Sequence, residues 1–135
     1  MISLNMGYVA LPVASKVMDE LRQWYETQLD LDRVQLDDDR FVVAGKNGFA
    51  IEFRAGRPLD DPGRVVLAFV TESVDALFEQ MKGTMSFAGG PEDTPFGRRV
   101  LRLQDPAGHT VELFEADAEE GMPNLRDARR EAGGQ

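Results

Sequence analysis

Two hydrophobic spacings alternate along this chain. Over residues 5–13 (NMGYVALPV) Val9, Leu11 and Val13 fall on one side and Tyr8, Ala10 and Pro12 on the other, the period-two pattern of a strand. Pro12 supplies no backbone donor, which places this strand at a sheet edge or ends it there. From Ser15 the period lengthens. Val17, Leu21, Trp24, Tyr25 and Leu29 recur at helical spacing, with Ser15 in the N-cap position and Asp19 and Glu20 near the positive helix end. At that spacing Trp24 and Tyr25 read as core residues whose polar tips reach its margin. Short strands are then predicted over 33–36, 40–44 and 49–54. Asp37-Asp38-Asp39 forms a turn; a calcium loop would need further oxygen ligands downstream, and the sequence has none there. Lys46-Asn47-Gly48 suits a type I′ hairpin. In the third of these strands Phe49, Ile51 and Phe53 share one face, and Ala50, Glu52 and Arg54 the other.

Residues 55–63 (AGRPLDDPG) carry Gly, Pro and Asp at linker density. The pattern then restarts. A strand over 64–71 puts Val65, Leu67 and Phe69 opposite Val66, Ala68 and Val70. Ser73 caps a second helix with Val74, Leu77, Phe78 and Met81 on one stripe. A short strand is predicted over 85–88 and a loop over 89–94. A hairpin closes the set. Its first strand (98–103) has Val100 and Arg102 on one face. Asp105-Pro106-Ala107-Gly108 is its turn, with φ preset at Pro106 and a positive φ expected at Gly108. Its second strand (109–114) sets Val111 and Leu113 against Thr110, Glu112 and Phe114. His109 reads as a surface or turn histidine. A glutamate in mid-strand, opposite Val111 and Leu113, demands an explanation.

The order strand, helix, three strands therefore occurs twice. GYVALPV corresponds to RVVLAFV, and FAIEF to TVELF, which makes Glu52 and Glu112 equivalent positions. This predicts an α+β fold of tandem βαβββ modules: module one over 5–55, a linker over 56–63 and module two over 64–116 of a single 1–116 domain. A 117–135 tail with a marginal helix near 125–131 and a frayed end follows.

Composition narrows the classes. The chain has 135 residues, 42% hydrophobic, enough for one core or two small fused ones. A net charge of −9 argues against nucleic acid and anionic membranes as partners, and towards solubility or a cationic ligand. No long apolar run or secretory leader is visible, so a cytoplasmic protein is expected. With no cysteine, thiol catalysis, disulfides and thiolate metal sites are excluded.

The approach Pro95-Phe96-Gly97, the turn Asp105-Pro106-x-Gly108-His109 and the strand ending Val111-Glu112-Leu113-Phe114-Glu115 resemble the vicinal oxygen chelate superfamily. That superfamily includes glyoxalase I, extradiol dioxygenases, fosfomycin-modifying enzymes and bleomycin-resistance proteins. The resemblance implies a curved mixed sheet with a concave cleft, and commonly a homodimer. It implies that Tyr8, Ala10, Glu52, Arg54, Val66, Ala68, Val100, Arg102, Thr110, Glu112 and Phe114 face the cleft. In metal-dependent members, positions like Glu52 and Glu112 carry carboxylate ligands. Their histidine partners would fall at Tyr8 and Val66, and neither is histidine.

Three functions stay open. A divalent-metal enzyme would close its site on Glu52 and Glu112; two carboxylates hold Mg²⁺ or Mn²⁺ weakly, and iron chemistry is disfavoured without imidazoles. A metal-free lyase, isomerase or epimerase would use the two glutamates as an acid/base pair, with Arg54 and Arg102 holding an anionic group; the same arginines serve equally to neutralise the glutamates. The leading expectation is a metal-free, cofactor-free binder that sequesters a drug or natural product. Tyr8, Phe114 and Glu112 would contact a flat cationic ligand, with Val66 and the arginines alongside and Phe96 as a lid.

Overall fold

The computed structural model describes residues 2, 7–29, 31–45, 49–85, 87, 89–95 and 98–115. Among the described residues, eight strands and two α-helices follow one another in the order β1 (Tyr8–Val13), α1 (Met18–Gln28), β2 (Asp32–Asp37), β3 (Arg40–Ala44), β4 (Ala50–Ala55), β5 (Val66–Thr71), α2 (Val74–Met81), β6 (Glu92–Asp93), β7 (Arg99–Gln104) and β8 (Thr110–Glu115). They form two four-stranded mixed sheets, ordered β1-β4-β3-β2 and β5-β8-β7-β6. In each, the first strand of the module pairs in parallel with the last. The predicted α+β tandem is therefore the observed one. None of the described helices is long and apolar enough to cross a membrane.

Two compact units divide the described residues, those within 1–65 and 104–109 and those within 66–103 and 110–115. The first is built on aromatic residues. Phe53 is fully buried on β4, with its ring centroid 5.1 Å from both Tyr25 and Phe41 and 5.8 Å from His109. Leu11, Val13, Met18, Leu21, Val43 and Ile51 complete this core. The β-face assignments made from alternation hold for Leu11, Val13, Ile51 and Phe53, which are buried, whereas Val9 on the same face is half-buried and Phe49, ahead of β4, is 42% exposed. Arg22 of α1 lies 5.7 Å over the Phe41 ring, and its guanidinium donates to the Asp38 carbonyl at 2.8 Å, tying the helix to the β2–β3 turn. β2 is exposed along its whole length, and its register shifts between Gln35 and Asp37.

A polar knot sits inside that apolar core. The Asp105 carboxylate accepts four hydrogen bonds. Tyr25 Oη donates to Oδ2 at 2.7 Å, and His109 Nδ1 approaches the same oxygen at 2.7 Å. The backbone N–H groups of Ala107 and His109 donate to Oδ1 at 2.9 and 3.0 Å. A buried carboxylate is tolerable only when its lone pairs are filled in this way. Gly108 closes the turn at φ +92°, as expected from its sequence, with its N–H donating to the Asp105 carbonyl at 2.9 Å. His109 itself is 1% exposed, which overturns its reading as a surface histidine. Burial follows because its Nδ1 finds Asp105 and its ring packs on Phe53.

The second unit buries Leu67, Val74, Met81, Val100, Leu101, Leu103, Val111, Leu113 and Phe114. Ser73 caps α2 as predicted, accepting from the Ala76 N–H at 3.1 Å. Arg99 donates to Asp75 of α2 and to Asp93 of β6, and so ties helix and edge strand to β7. These partners raise the Arg99 pKa, the bond to Asp75 contributing most.

Three local expectations fail. Ser15 makes no capping bond; residues Ser15–Val17 form a 3-10 turn and α1 begins at Met18. The outer strand of the second sheet is Glu92–Asp93, inside the stretch read as a loop, while Met85 and Phe87 are not in a strand. β5 starts at Val66, because Pro62–Arg64 make another 3-10 turn first. The 46–48 hairpin, the lid residue Phe96 and the helix expected near 125–131 lie outside the described residues.

Candidate functional site

The first sheet's outer face is assembled by register. β1 aligns in parallel with β4 so that Ala10 stands beside Glu52 and Pro12 beside Arg54. β3 sets Val42 against Glu52 and Arg40 against Arg54, and Val34 of β2 lies beside Val42. Glu52 is only 4% exposed, although it lies on the face opposite the aromatic core. Its carboxylate accepts from Arg54 Nε. Arg54 Nη2 also reaches the Tyr8 hydroxyl at 3.4 Å, which brings Tyr8, Glu52 and Arg54 into one cluster. The bond to Glu52 is the chief cause of a raised Arg54 pKa. Arg40 is matched by Asp37, 2.9 Å away, and its pKa rises mainly through that bond, with a smaller contribution from Glu52.

The second sheet repeats the arrangement with different partners. Thr110 stands beside Val66, Glu112 beside Ala68 and Phe114 beside Val70. Arg102 Nε donates to Glu112 at 3.1 Å, and its Nη1 donates to Glu92 of β6. One arginine against two carboxylates leaves this trio net negative. Val66 and Val70 are about half exposed, whereas Val100 and Phe114 are buried, so Phe114 does not present its ring as the ligand-contact expectation requires. Tyr8, at 53% exposed, does.

Of the residues singled out from the sequence, the structure joins Tyr8, Glu52 and Arg54 in the first unit. It joins Arg102 and Glu112 in the second. Arg40, Val42 and Val34 share the Glu52 face and were missed, although alternation through 40–44 around Phe41 and Val43 carried the signal. Glu92 was missed because two residues are too short for a strand pattern. The Tyr25–Asp105–His109 knot was missed because hydrophobic spacing is silent on which buried polar groups find each other.

The metal implied by the resemblance does not fit this donor set. Val66 offers no donor atom, and a neutral phenol such as that of Tyr8 is a poor ligand. Glu52 and Glu112 each already accept from an arginine. Among the described residues, no three His, Asp or Glu side chains are placed to hold one ion.

Residues 6–113 match the model of the glyoxalase/bleomycin resistance protein/dioxygenase superfamily. No curated protein sequence matches the chain. Similar solved structures include a lactoylglutathione lyase from Agrobacterium tumefaciens, at 16% identity over 86% of this chain and 96% of that one, with a TM-score of 0.67. A bleomycin resistance determinant encoded on transposon Tn5 aligns at 20% identity over 84% and 99%, with a TM-score of 0.64. A glyoxalase/bleomycin resistance protein/dioxygenase from Nocardioides aligns at 19% identity over 91% and 90%, with a TM-score of 0.66. At these identities the likeness establishes the fold, and the family match covers most of the sequence. The chain belongs to the glyoxalase/bleomycin resistance protein/dioxygenase superfamily.

Proposed function

We propose that this chain binds a small molecule without a metal and without turning it over. The observation carrying this reading is the pairing of each mid-sheet glutamate with an arginine, Glu52 with Arg54 and Glu112 with Arg102. With Tyr8 and Val66 at the positions where metal-dependent relatives would place imidazoles, the usual electrophile has no holder. What the two faces offer instead is recognition chemistry. Taken separately, the first sheet's face supplies the exposed aromatic ring of Tyr8, and the second sheet's face supplies the apolar surface of Val66 and Val70 together with the net negative trio on β6, β7 and β8. Arginine N–H groups beside it suit a ligand that also carries acceptors. The ligand class is a flat natural product or drug bearing both a cationic and an anionic or carbonyl group. The role we infer is sequestration of such a compound, in keeping with a bleomycin resistance determinant among the proteins of similar fold. We place the protein in the cytoplasm as a homodimer.

One observation favours a second reading. Glu52 is a buried carboxylate on the face opposite the core, where an acid/base residue of a metal-free enzyme would sit. A thermal-shift and calorimetry screen with bleomycin and with aromatic amines separates the two. Saturable binding that Glu112→Gln weakens, with no change in the recovered compound, supports the binder. Chemical conversion of a bound compound, or lactoylglutathione lyase activity abolished by Glu52→Gln, overturns it.

A further inference from the structure

We propose that a second small-molecule site, separate from the sheet faces, lies at the carboxyl end of β1. There the strand end, the 56–63 linker and the 105–109 turn border a half-open cavity of about 240 Å³. Pro12, Pro58, Pro62 and Pro106 form much of its wall, Leu59 lies at its rim and His109 lines it. None of Tyr8, Glu52 and Arg54 takes part.

Three features define what it takes. The first is preorganisation. Proline fixes its own φ, so four prolines give walls that need little ordering when a ligand enters. The second is size and polarity. A cavity of about 150 Å³ is known to take benzene, so this one holds a single substituted ring. No carboxylate, ammonium or guanidinium lines it, which selects a neutral guest. The third is a single polar side chain. His109 Nδ1 lies 2.7 Å from Asp105 Oδ2. A carboxylate only accepts, so Nδ1 carries the proton, and in the neutral imidazole Nε2 is then an acceptor. Tyr25 and two backbone N–H groups hold Asp105 in place, and the imidazole packs against Phe53, so its orientation is fixed. The guest is a small neutral ring carrying one hydroxyl: the ring rests among the prolines and the hydroxyl donates to Nε2.

The chain contains one histidine, so its imidazole nitrogens report without assignment ambiguity. Phenol is titrated into the full-length protein and long-range ¹H–¹⁵N spectra are recorded, with toluene as the control that lacks the hydroxyl. The expected result is a saturable shift of His109 Nε2 with phenol and at least about tenfold weaker binding of toluene, the cost of one lost hydrogen bond. Ala107→Leu places a larger side chain in the lining and should abolish the shift while the melting transition is kept. No saturable shift overturns the proposal, as does equal binding of toluene or unchanged phenol binding by a folded Ala107→Leu. If that variant does not fold, the phenol–toluene comparison on the unaltered protein decides. The readout is at His109, so the outcome is independent of whether the sheet faces bind a drug.

Discussion

Replacing Tyr25 by Phe tests the polar knot with the least collateral change. The ring stays in its place beside Phe53, so the core loses one oxygen and gains no large cavity. Asp105 Oδ2 keeps His109 Nδ1, and Oδ1 keeps both backbone donors. What disappears is one buried hydrogen bond of 2.7 Å to a carboxylate. Hydrogen bonds to charged groups contribute about 1.5–3 kcal/mol, so urea denaturation at pH 7 should show a loss of that size with an unchanged m-value. The melting temperature should fall by about 5–12 °C for a chain of this length. Alkaline pH gives an independent check. Burial, the Asp105 charge and the Asp105 hydrogen bond, in that order, hold the Tyr25 phenol far above its ordinary value of 10.0. A raised folded-state pKa confers stability that is complete below pH 10 and drains away as pH rises further, at about 1.4 kcal/mol per unit. The variant lacks that group. The gap between the two proteins should therefore narrow by about 1.4 kcal/mol at pH 11. A loss under about 0.5 kcal/mol at pH 7 would refute the reasoning, because no net hydrogen bond to a charged group is that weak. A gap that stays constant from pH 8 to pH 11 would refute it too.

Three other substitutions probe separate parts of the fold. Phe53→Ala empties the centre of the aromatic core and should cost about 3–5 kcal/mol in the same denaturation assay; a cost near zero would mean the ring is not packed there. Gly108→Ala must adopt a positive φ and brings a Cβ to 3.1 Å from Pro62 Cγ, so it should destabilise by about 1–2 kcal/mol, and a neutral result would contradict the turn geometry. Ser73→Ala removes the α2 cap and should cost about 1 kcal/mol, with Ser73→Gly milder; equal and negligible effects would show the cap to be idle.

The fold was legible in the sequence because both modules depend on patterns that spacing reports directly. Alternation through Leu11 and Val13, and through Ile51 and Phe53, marked the buried faces. Asp105-Pro106-Ala107-Gly108 marked its own turn. Ends were harder. Ser15 has the right residue type for a cap, yet a 3-10 turn intervenes and its side chain is not used. β6 is two residues long and defined by its pairing with β7 rather than by its own pattern. In the candidate site, the sequence marked Glu52 and Glu112 through their equivalent places in the repeat, and Arg54 and Arg102 through strand alternation. It did not reveal that Arg102 also reaches Glu92, or that Arg40 stands beside Arg54, because both depend on cross-strand register. His109 was misjudged for a related reason: what holds it inside is Asp105 four residues back, itself bonded to Tyr25, and the ring of Phe53, from elements distant in the chain.

The central claim is that the two glutamates are arginine partners and not metal ligands. Elemental analysis of the purified protein, followed by calorimetric titration with Mn²⁺, Zn²⁺, Ni²⁺ and Fe²⁺, tests it most directly. The account predicts no stoichiometric metal and no saturable heat with any of the four ions. One equivalent of bound metal that Glu52→Gln or Glu112→Gln removes would contradict it.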